Sequence, residues 1–111
     1  MSLEVQKWLY DILVSIQSIN EFVGEVRKFE TYESDKKLRR AVEREITIIG
    51  EAVNRIKTIE PTFEITNARQ IIAVRNRVAH AYDAVNNAII WGIVINHLPK
   101  LKAEIEKLLG K

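Results

Sequence analysis

Arg75-Asn76-Arg77-Val78-Ala79-His80-Ala81-Tyr82 gathers hydrogen-bonding and proton-transferring side chains in a chain otherwise written for packing. His80 is one of two histidines, and imidazole is the side chain best suited to taking or giving a proton near neutral pH. Arg75 is permanently cationic and its guanidinium forks onto phosphate oxygens, while Tyr82 offers a phenolic hydroxyl. These residue types together suit the handling of a phosphodiester.

Their spacing sets a geometric condition. On a helix, residues seven apart return to nearly the same face, so Arg75 and Tyr82 are coaligned. His80 follows Arg75 by five residues and falls about 140° away on an unbroken helix. Either the helix ends near His80 and turns it back, or Arg75 and His80 converge across two subunits. The residues alone also leave His80 a structural role, since a histidine near a helix end can cap or pack.

The elements that must position this cluster read as helices. Val5, Leu9, Ile12, Ile16, Ile19, Val23 and Val26 step by four and three, widened by Trp8, Leu13, Phe22 and Phe29, which predicts one long helix from Ser2 to about Glu30. Thr31-Tyr32-Glu33-Ser34-Asp35 favours turns and caps and predicts a short connection. Leu38, Val42, Ile46, Ile49, Val53 and Ile56 carry a second stripe that should end around Ile59, before Pro61. Lys36, Lys37, Arg39 and Arg40 read as its solvated face, with Arg39 and Glu43 as an i,i+4 pair.

Gly50 lies inside that second helix, where glycine is costly, so a close contact with another helix is expected there. Glu51 is expected to pair with Arg55, or else to help orient Arg75 or His80. After the loop 61–67, Thr66 or Asn67 should cap a third, short helix that buries Ile71, Val74 and Val78 and finishes near Ala81. Asp83 is placed to cap a fourth, with Ile90, Val94, Leu98, Leu101, Ile105 and Leu108 as its stripe. Residues 89–95 are apolar almost all round, which predicts a partner subunit on the second side; Pro99 predicts a kink or a short break. The fold class is all-α: an antiparallel up-and-down bundle of four main helices, with a possible fifth after Pro99.

Composition bounds the function further. The 111 residues suit a single domain, 1–111, able to bury about two-thirds of its unfolded surface. The absence of cysteine excludes disulfides, thiolate metal sites and thiol catalysis. No signal peptide or membrane span is visible, and a cytoplasmic location is the default expectation. A formal charge of +2 and a pI near 9.0 permit nucleic-acid binding without demanding it. No His-x-x-x-His or Glu-x-x-His pair offers metal-ligand spacing, and neither a phosphate-cradling glycine loop nor a Gly-x-Ser-x-Gly elbow is present. His97, beside the apolar run, reads as a packing residue.

The run Arg75 to Asp83 resembles the R-x4-H-x-Y motif of the HepT-like toxins, a branch of the HEPN superfamily. Ile49-Gly50-Glu51-Ala52, the Ile90-Trp91 pair and the segment Leu98-Pro99-Leu101 are also similar to that family, so the resemblance spans essentially the whole chain. It implies an all-helical, metal-independent endoribonuclease without a cofactor, acting as a homodimer and as the toxin beside a small nucleotidyltransferase antitoxin. It assigns cleavage to Arg75 and His80, gives Asn76 a supporting contact, and makes Tyr82 the position to which the antitoxin attaches AMP. Arg77, in the variable part of the motif, receives no role. The alternative is a helical nucleotide-binding or accessory subunit of a nucleotidyltransferase that does not cut RNA.

Overall fold

A computed structural model describes residues 1–80 and 86–110, without the side chains at 79 and 80. Among them every regular element is helical. Helix α1, Leu3–Val23, starts at Ser2, whose hydroxyl accepts the Val5 N–H at 3.1 Å. Its buried face is Val5, Leu9, Ile12, Ile16, Ile19 and Val23, the first six members of the expected stripe. Each such side chain contributes about 1.5–3 kcal/mol by leaving water.

The expected length of this helix is corrected. It stops at Gly24, which takes φ 72° and donates its N–H back to Asn20 O, a left-handed conformation that glycine adopts without penalty. Past it, Val26 is 60% exposed, so the stripe ran on in the sequence after the helix had ended. The expected connection at 31–35 is corrected too: Phe29–Ser34 forms a short helix, α2, that buries Tyr32 completely.

Helix α3, Lys36–Ile59, begins where Asp35 Oδ1 accepts the Leu38 N–H at 3.0 Å and ends just before Pro61, as the stripe predicted. Its buried face is Val42, Ile46, Ile49, Ala52, Val53 and Ile56. The ion pair near its start uses Arg40 rather than Arg39: Arg40 Nη1 lies 3.1 Å from a Glu43 carboxylate that is largely buried, while Arg39 donates to the Glu33 carbonyl. Glu51 is exposed, and no ion pair forms between it and Arg55.

Helix α4, Ala68–His80, opens from Asn67, whose carbonyl accepts the Ile71 N–H at 3.0 Å and whose φ is 63°. Asparagine tolerates that backbone better than most residues. Thr66, the other expected cap, is tied instead to the last helix: its N–H and hydroxyl both donate to Glu104, the hydroxyl at 2.6 Å.

The expected Asp83 cap lies outside the described residues. Helix α5, Asn87–Gly92, is capped by Asn86, whose Oδ1 accepts the N–H groups of Ala88 and Ile89 at 2.9 and 3.2 Å. Ile93–His97 then widens into a π-helical turn, closed by the Leu98 N–H donating to Ile93 O, and α6, Leu98–Leu108, continues from it. Pro99 has no N–H to donate and its ring crowds the preceding turn. The path absorbs it by widening the turn just before it, without a break.

Helix α3 lies at the middle of the bundle, packed on α1 and on α4, while α2 bridges to α3 and α5, and α6 returns to α1. The buried apolar residues of all six helices form one cluster. In the run 89–95, Ile90, Ile93 and Val94 are buried and Trp91 stacks on Tyr32. Most of that apolar surface is thus spent inside the chain, with Ile89 left 41% exposed.

Candidate active site

Helix α4 carries the cluster and is held by its other side. Ile71 is buried and Val74 and Val78 pack half-buried on the core, so they fix the rotation of the helix and with it the direction of its neighbours. Arg75 therefore falls on the flank that meets α3. The residue it meets is Gly50: an added methyl there would stand 2.3 Å from Arg75 Cβ and 2.7 Å from Arg75 Cγ. Ordinary carbon contacts lie at about 3.5–4.0 Å. The aliphatic stem of Arg75 occupies the space a side chain at position 50 would need.

The guanidinium at the end of that stem is only partly engaged. Nη1 donates to Asn76 Oδ1 at 2.8 Å. Nε is buried and has no hydrogen-bond partner among the described residues. A guanidinium carries five N–H donors and no acceptor, and a buried donor left unmade costs about 1–3 kcal/mol. Arg75 is thus anchored at its stem and steadied by Asn76, with donor capacity left for an anionic group.

Of the four site residues expected from the sequence, the structure brings Arg75 and Asn76 together. Helix α4 runs without interruption from Arg75 to its end at His80, which keeps the two positions about 140° apart around the axis. The His80 side chain and all of Tyr82 lie outside what is described. Glu51 points to solvent, and the contact with Arg75 belongs to its neighbour Gly50. A glycine inside an otherwise regular helix was the signal for this contact, since it costs about 1 kcal/mol against alanine.

Beside this flank runs a groove of about 330 Å³ between α4 and the helix that follows, lined by Ile71 and Val74 on one wall and Ile89, Gly92 and Ile93 on the other. Asn67, Gln70, Asn96 and His97 line it as well. His97 Nδ1 is buried there without a partner among the described residues, a feature its reading as a packing residue did not anticipate. Among the described residues, no three histidine, aspartate or glutamate side chains gather where they could hold a metal ion. No helix among them is long and apolar enough to cross a membrane.

Fold and cluster together define a small all-helical domain with an Arg-x4-His run closing its fourth helix. The family model for Ribonuclease HepT-like proteins matches residues 12–108, and the chain belongs to the HepT-like ribonuclease family. It is 36% identical over 105 residues to a Thermococcus cleftensis protein named "Probable ribonuclease HepT", covering 91% of this chain and 92% of that one. It is also 34% identical over 111 residues to the Methanocaldococcus jannaschii protein named "Putative RNase MJ0127", covering 96% and 88%. No solved structure matches the chain.

Proposed function

We propose that residues 1–111 act as one HEPN-like domain: a metal-independent endoribonuclease toxin that works in the cytoplasm as a homodimer and is silenced by a nucleotidyltransferase antitoxin that adds AMP to Tyr82. The observation that carries the reading is Arg75, a guanidinium with a packed stem whose only hydrogen bond among the described residues goes to Asn76, which leaves Nη donors for an anion. Such a group is prepared for phosphoryl oxygens, and family membership supplies the substrate class.

The chemistry needs no more than these residue types. The RNA 2′-hydroxyl attacks the adjacent phosphorus, the bond to the 5′ oxygen breaks, and one proton leaves the attacking oxygen while another reaches the leaving one. His80 moves the proton. Arg75 meets the charge gathering on the phosphoryl oxygens, with Asn76 holding its plane. Because helix α4 is continuous between them, Arg75 of one subunit works with the histidine of the other. The unpartnered groove along Ile71, Val74, Ile89 and Ile93 is the face on which two copies meet.

The deciding experiment is incubation of mixed RNA with the purified protein in excess chelator, for the parent, Arg75→Ala and His80→Ala. Cleavage by the parent alone is expected. No cleavage by any of the three, with nucleotide binding retained, would instead point to an accessory subunit of the nucleotidyltransferase.

A further inference from the structure

We propose that Gly50 is a positioning residue for Arg75, acting through the distance between helices α3 and α4. This inference rests on the role given to Arg75 above. A methyl at position 50 would lie 2.3 Å from Arg75 Cβ, 2.7 Å from Arg75 Cγ and 3.3 Å from the Ile71 carbonyl oxygen. The first of these atoms is fixed to the α4 backbone and cannot swing away by a rotamer change. An alanine at 50 therefore has to push the helices apart or turn α4, by on the order of 1 Å to restore an ordinary contact.

That displacement acts on the group that matters. The guanidinium rides on the same stem, and its only hydrogen bond among the described residues goes to Asn76 of the same helix. Nothing on α3 holds it by hydrogen bond, so packing of the Arg75 stem against Gly50 sets its height above that helix. Misplacing a catalytic group by about 1 Å can cost about a hundredfold in rate. The contrast within the chain is Gly92, also helical, where an added methyl would meet nothing within 4 Å among the described residues. Room for Arg75 is a property of position 50 and not of helical glycines in general.

The test uses the full chain and a single-stranded RNA oligonucleotide that the parent cuts. The proteins compared are the parent, Gly50→Ala, Arg75→Ala, Arg75→Gly and Gly50→Ala/Arg75→Gly, with kcat, KM, helicity and melting temperature recorded for each. Expected is a folded Gly50→Ala whose kcat falls by about ten- to a hundredfold while KM stays within about threefold. In the melts, Gly50→Ala lowers the midpoint of the parent by more than that of Arg75→Gly, because both Arg75 atoms the methyl would meet are then gone and only the 3.3 Å approach to the Ile71 carbonyl remains. If Arg75→Ala loses cleavage while a folded Gly50→Ala keeps the parent kcat, the inference falls and the reading of Arg75 stands. Parent-level cleavage by Arg75→Ala overturns that reading, and Gly50 then has nothing to position. Should Gly50→Ala fail to fold, Gly50→Ala/Arg75→Gly must regain the helicity of Arg75→Gly, and its failure to do so overturns the inference.

Discussion

The rings of Tyr32 and Trp91 stack with centroids 5.2 Å apart and 28° between their planes, and this contact joins the short helix α2 to the helix that leads into the π turn. Tyr32 is fully buried and its hydroxyl has no partner among the described residues. The ring therefore stabilises while the oxygen costs. Tyr32→Phe keeps the stack and removes the orphan, so denaturant unfolding at pH 7 should show a stability equal to the parent or higher by about 1 kcal/mol. Trp91→Ala, which removes the stacking partner, should cost about 3 kcal/mol.

The same hydroxyl predicts an alkaline weakness. Burial pushes the Tyr32 phenol well above its ordinary value; the Glu43 carboxylate adds to this, and Arg39 and Arg40 oppose it. In the unfolded chain a tyrosine loses its proton near pH 10. Below that pH both states hold the proton and stability is whole. Above it the unfolded state gives the proton up while the folded state keeps it, so stability falls by up to about 1.4 kcal/mol per pH unit from this group. Unfolding curves between pH 9 and 11 should therefore be flatter for Tyr32→Phe than for the parent, and parallel curves would count against the assignment.

Thr66 and Glu104 make a second, separable link. Glu104 receives both the N–H and the hydroxyl of Thr66, tying the loop that launches α4 to α6. Glu104→Ala should lower stability by about 1–2 kcal/mol and speed hydrogen exchange at the Thr66 amide. If exchange there is unchanged, the loop is held by something other than this carboxylate.

What could be read from the sequence follows from what periodicity can encode. The stripes of α1 and α3 placed the core because a buried face has to repeat with the helix. Periodicity could not place the end of α1, since Val26 and Phe29 happen to continue its spacing after Gly24 has turned the chain. Tyr32 was lost in a run of turn-forming residues, and tertiary packing on α3 and α5, including the stack on Trp91, accounts for so short a helix. Pro99 announced an irregularity, while the π turn took it up one turn earlier. At the site, Arg75 stood out by type, Asn76 only through the family resemblance, and Gly50 by its cost in a helix. The atom-to-atom match between Gly50 and Arg75 depends on the register of two helices, which neither stripe specifies alone.

The groove between α4 and α5 gives a test of assembly. Ile89, 41% exposed, sits on its rim with Ile71, Val74 and Ile93 along the walls. Ile89→Glu puts a charge where two copies are proposed to meet, and burying an unpaired charge costs several kcal/mol. Light scattering should show the variant as a folded monomer, and RNA cleavage should fall with the dimer because Arg75 then lacks the opposite histidine. A monomeric Ile89→Glu that cuts at the parent rate would separate catalysis from assembly and return the pairing of Arg75 and His80 to a single chain.

Tyr82 carries the regulatory prediction. It follows Arg75 by seven residues in the sequence. A nucleotide on its hydroxyl would bring bulk and a negative phosphate into the space proposed for the RNA backbone. The transfer is balanced: the Tyr82 oxygen attacks the α-phosphorus of ATP, pyrophosphate leaves, and the phenolic proton passes to a base. The attached phosphate would then compete for the guanidinium donors of Arg75 that make no hydrogen bond among the described residues. Incubation with the nucleotidyltransferase and ATP should therefore add AMP to Tyr82 and suppress cleavage, while Tyr82→Phe stays folded, keeps cutting and escapes modification. Arg75→Ala should still accept AMP on Tyr82, since the arginine is the target of the adduct and not part of the transfer. Mass spectrometry that places the adduct on another residue, or a fully modified protein that cleaves RNA at the parent rate, would remove Tyr82 from the control of this enzyme.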